Sequence, residues 1–146
     1  MPLAPEPFIR LPTVALLAAS ALGSGAVVAV VWAIGLGVGR PDFGPAGLVA
    51  GLVVIGAAWV SILITVPWMP KPASTAGLAW MAGSMLRMLG AAGIGFLLYS
   101  APSFGGTSGP AVASSAFLLT LAAAFFAGVL CEVAVIARHV LPPSQA

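Results

Sequence analysis

Charge is nearly missing from this chain. Five basic and three acidic residues make up 5% of its 146 positions, where a soluble domain carries about 25%. That shortage excludes a water-exposed globular surface. With 61% hydrophobic residues and a mean hydropathy of +1.17, the chain reads as an integral membrane protein with room for one bundle. The net charge of +2 comes from scattered bases, so it reflects membrane topology rather than a nucleic-acid surface. Cysteine is scarce too. The single Cys131 rules out an internal disulfide, and its apolar surroundings mark it as a small hydrophobe rather than a reactive thiol. No pair of carboxylates and no nucleophile–base pair is visible, so no catalysis is expected. Nor is a metal or other cofactor. His139 and Glu132 lie seven apart with Cys131 nearby, but a metal site needs more ligands. The stretch GLGVGR before position 41 lacks the Lys-Ser/Thr and the preceding strand of a phosphate loop.

Long apolar runs are what the chain does have. Four of them, at about 11–39, 46–66, 75–99 and 112–137, each supply the ~20 residues that span a bilayer. The expected fold is an all-α membrane bundle of four antiparallel transmembrane helices in one domain, 1–146. The first run exceeds the ~7–15 residues of a signal-peptide core, so it is read as a helix rather than a cleaved leader. Three prolines in the first ten residues argue for an irregular tail up to Arg10. Breakers separate the runs. Gly39, Pro41, Gly44 and Pro45 make the first turn. Pro67 and Pro70 stop the second helix, and Trp68 suits the headgroup belt. The third connection, 100–110, is flexible and uncharged. Gly47 and Gly51 form a GxxxG that admits a close helix neighbour. Ser61 and Thr65 are placed to bond back onto their own helix. Four spans put both ends on one side with Arg10, Lys71, Arg138 and His139, against Arg40 and Asp42 on the other. The positive-inside rule makes that side cytoplasmic.

Arg87, in the middle of the third run, is the residue that needs explaining. A guanidinium at a helix centre costs at least ~2.5–3.5 kcal/mol on translocon scales, and it cannot lose its proton to escape that cost. Glu132 is the only acid in any other apolar run. Arg87 lies roughly 14–18 Å along its helix and Glu132 about 9 Å from the same side. The arginine stem can lean across that gap, and consecutive helices usually pack together, so an Arg87–Glu132 pair is geometrically allowed. Small residues flank both charges: Gly83, Gly90 and Ala91 beside Arg87, and Thr120, Ala124 and Gly128 on the face of Glu132. They leave room for a partner backbone and for the charged head. The pair either fixes the docking of helices three and four or engages a partner or an ion.

The chain also carries a family likeness. PDFGPAGLVAGLVV opens the second helix, and AGSMLRMLGAAGIGFLLY, with its basic residue, fills the third. From about 40 to 99, and weakly through 130–137, it resembles the ATP synthase protein I family, small membrane subunits associated with bacterial F-type ATP synthases. The resemblance implies a non-catalytic accessory or assembly factor of the bacterial inner membrane that aids assembly or stability of the c ring. It also implies that Arg87 faces ring carboxylates, with Glu132 as its resting partner. A link to magnesium supply has been suggested for such proteins. The proline-rich, weakly basic N-terminus departs from many members. Three other readings compete. One is a proton-transporting proteolipid, opposed by the shallow position of Glu132. Another is a small homo-oligomeric ion channel or transporter, which asks for more polar lining than scattered Ser and Thr. The third is an interaction protein of some other complex.

Overall fold

The computed structural model describes residues 8–66, 71–100 and 111–140. Four helices dominate: α1 (Thr13–Gly37), α2 (Phe43–Thr65), α3 (Ala73–Ser100) and α4 (Ala111–Val140). All four are long and apolar enough to cross a membrane, so the protein is a multi-pass all-α membrane bundle, as its composition indicates. Trp68, Pro70 and positions 101–110 lie outside the described residues.

The helix ends differ from the sequence expectation, and each difference has a local cause. α1 stops at Gly37 through a left-handed cap. Gly39 adopts φ +70°, its N–H donates to Leu36 O, and the Arg40 N–H donates to Gly35 O at 2.8 Å. These two bonds satisfy carbonyls that a helix end otherwise leaves open. α2 begins at Phe43, three residues before the expected 46, so Pro45 lies inside its first turn. No N–H is needed there, and a proline is tolerated. Val66 turns extended (ψ 114°) just before Pro67, as the ring of a following proline requires.

The N-terminal stretch is not irregular throughout. Phe8–Ile9 forms a short strand, β1, that pairs antiparallel with β2, Lys71–Pro72. Prolines exclude a helix in this stretch but leave extended backbone free to pair. Leu11, also outside the helices, is buried with Leu16, Ile62, Val66 and Ala76, and Val135 and Ile136 pack against them. One apolar plug thus joins all four helices at the end where α1 begins.

The packing order also departs from expectation. α4 lies mainly on α1 and α2, and α3 lies mainly on α2 and meets α4 only along a narrow strip. Between membrane helices the attraction comes from close packing and hydrogen bonds, because lipid is as apolar as the side chains. Small residues set those contacts. A Cβ on Gly23 would stand 2.7 Å from Ala127 O, and one on Gly51 would strike the Val28 side chain. Ser24 Oγ donates to Ala124 O at 3.1 Å. Close backbone approaches therefore join α1 to α2 and to α4, and α3 to α2 at Gly83, while α3 touches α4 only lightly.

Candidate functional site: an ion pair inside the bundle

Arg87 and Glu132 meet. Arg87 Nη1 lies 2.5 Å from Glu132 Oε2, and the residues are 3% and 0% exposed. Helix counting leaves an axial gap of several ångströms, and side-chain direction closes it. Side chains lean toward the N-terminus of their own helix. α3 starts at the end of the bundle where α4 finishes, so Arg87 leans toward that end and Glu132 leans away from it. The two heads converge.

The pairing is one-pronged. Arg87 Nε and Glu132 Oε1 are buried without a hydrogen-bond partner, as is Trp80 Nε1. Trp80 stands two helical turns before Arg87, on the same face of α3. Three buried polar atoms thus hold unspent capacity, two of them within the ion pair itself, where buried polar groups are ordinarily satisfied. No family model, curated protein or solved structure matches this chain.

The other buried polar groups are spent. Ser20 Oγ donates to Leu17 O, Ser61 Oγ to Gly83 O at 2.5 Å, and Thr120 Oγ1 to Ala116 O. Thr65 bonds back to Ser61 O, as its spacing suggests. Ser61 does not bond to its own helix. It reaches across to α3, because Gly83 brings the α3 backbone within range: a Cβ there would stand 2.5 Å from Thr65 Oγ1.

The small residues beside the charges serve more than one helix contact, and Ala91 of α3 and Ala124 of α4 share a buried cluster with Val54 of α2. Gly128 faces Ser24 and Ser20 of α1, and the buried Ala124 offers its carbonyl to Ser24. Gly83 faces α2. Gly90 is looser, since a Cβ there would meet Ala57 at an ordinary 3.7 Å. Gly47 and Gly51 take up Val31 and Val28 of α1, and Thr120 also borders Gly47. Cys131 and His139 point to other partners than Glu132. Cys131 Sγ borders Gly23, and His139 Nε2 stands 3.0 Å from Arg10 O. Among the described residues no three His, Cys, Asp or Glu side chains converge. Sequence reasoning missed Trp80 and the pair Ser20 and Ser24. The seven-residue spacing of Trp80 to Arg87 was the available signal.

Proposed function

We propose that this protein is a non-catalytic accessory factor of a bacterial F-type ATP synthase. In this reading it sits in the inner membrane with both termini cytoplasmic and aids assembly or stability of the c ring. The observation that carries it is the one-pronged Arg87–Glu132 pair, with Arg87 Nε and Glu132 Oε1 unspent. A pair serving only to lock helices gains most by spending all its hydrogen bonds. A resting pair that gives up its arginine to a partner's intramembrane carboxylate keeps some in reserve. The place of Arg87 on α3, which meets α4 only along a narrow strip, supports the same reading, because α3 can shift toward a partner without opening the contacts that join α1, α2 and α4 to one another. The resemblance of 40–99 to the ATP synthase protein I family supports c subunits as that partner.

A channel reading finds less support. A conducting path needs polar groups free to replace an ion's water, and the buried hydroxyls Ser20, Ser24, Ser61 and Thr120 already donate to backbone carbonyls.

Affinity purification in mild detergent tests the proposal. Tagged protein is expected to retain c subunits, and Arg87→Ala is expected to lose them while still inserting. Recovery of a homo-oligomer alone, with no synthase subunit, would overturn it and turn attention to ion flux in liposomes.

A further inference from the structure

A groove separate from the ion pair opens at the end of the bundle where α1 begins and α4 finishes. It is an open groove of about 700 Å³ along the first turns of α1, with Val14, Ala15 and Ala18 on its apolar wall and Arg10 and His139 at its mouth. Both basic residues are exposed, and Arg138 stands exposed beside His139. His139 Nε2 at Arg10 O ties the two sides of the mouth together and leaves the Arg10 guanidinium free. Among the described residues neither Arg10 nor Arg138 has an acidic partner, since the only ion pair is Arg87–Glu132. The wall is equally one-sided: Val14 is 81% exposed, and Ala15 and Ala18 are exposed with it.

A free anion would use the basic mouth and leave the apolar wall bare. A zwitterionic lipid would cover the wall but bring its own cation to the bases. An anion attached to an acyl chain matches both halves. We infer that this groove holds an anionic phospholipid, with its phosphate between Arg10 and His139 and an acyl chain along Val14 and Ala18. The inference stands apart from the synthase reading, because it uses neither Arg87 nor Glu132.

Native mass spectrometry of the full chain, released from nanodiscs of mixed phosphatidylglycerol and phosphatidylcholine, reads the outcome. The protein is expected to retain phosphatidylglycerol preferentially. Arg10→Gln should cut that preference about fivefold, the equivalent of one basic contact near a membrane surface. Ala18→Trp fills the apolar wall from a lipid-exposed position and leaves every charge in place, so it should reduce retention as well. Arg40→Gln, at the opposite end, should change nothing. Equal retention of both lipids by the wild type overturns the proposal. So does wild-type selectivity in Arg10→Gln. Full binding in Ala18→Trp, with displacement by inorganic phosphate, overturns it in favour of a free anion.

Discussion

Arg87 and Glu132 are each costly alone and tolerable together. Removing one partner of a buried pair leaves the other charge uncompensated, at ~3–5 kcal/mol, whereas replacing both with apolar groups is often neutral. Glu132→Gln should therefore destabilise the bundle by about 3 kcal/mol, read as a loss of reversible unfolding free energy in bicelles. The double change Arg87→Met with Glu132→Leu should recover most of that loss. It should nevertheless fail to retain c subunits, which separates stability from partner binding. A stable Glu132→Gln protein would show that the pair contributes nothing to holding the bundle. So would a double variant whose loss equals the sum of the two single losses, because double-mutant arithmetic then leaves no coupling between the residues.

Between elements, the bundle divides into a tight part and a loose part. Gly23 sits where α1 meets the α4 backbone, and backbone cannot move aside as a flexible side chain can. Gly23→Ala should cost ~1–3 kcal/mol, the usual range for overpacking. Gly25→Ala, two residues on, where an added Cβ would meet nothing, should cost nothing and gain helix propensity. Equal stability of the two variants in the same unfolding assay would contradict the close α1–α4 approach. On the loose side, α3 has two polar ties to its neighbours among the described residues: Ser61 to Gly83 O, and Arg87 to Glu132. Ser61→Ala removes one of them at ~0.6 kcal/mol, and up to ~1.7 kcal/mol at the measured extreme. Its effect should be confined to α3, seen as faster protease cutting near position 73 with no change near position 40. Uniform loosening at both sites would argue that α3 is not a separate unit.

For the whole molecule, fold class was legible because so few charged residues leave no alternative to lipid. The ion pair was legible for a related reason: a single acid in the other apolar runs leaves Arg87 one candidate partner. Helix adjacency was not legible. Gly and Ala recur on every face of these helices, and sequence does not say that Gly23 and Gly128 matter while Gly25 and Gly90 do not. That depends on which backbone arrives opposite. The β1–β2 pairing was hidden for a similar reason, since prolines forbid a helix without showing what extended backbone will meet. Orientation rests on a third kind of information, the distribution of bases. Arg10, Arg138 and His139 gather at one end of the bundle, and Arg40, with Asp42 two residues on, lies at the other. Positive charge resists translocation, so the end with Arg10 should face the cytoplasm. In a Cys131→Ala background, a cysteine at position 41 should react in intact cells with a membrane-impermeant maleimide. A cysteine at position 8 should react only after permeabilisation. The reverse pattern would place Arg10 and His139 outside the cytoplasm. The accessory-factor reading, which places both termini in the cytoplasm, would then fail on topology.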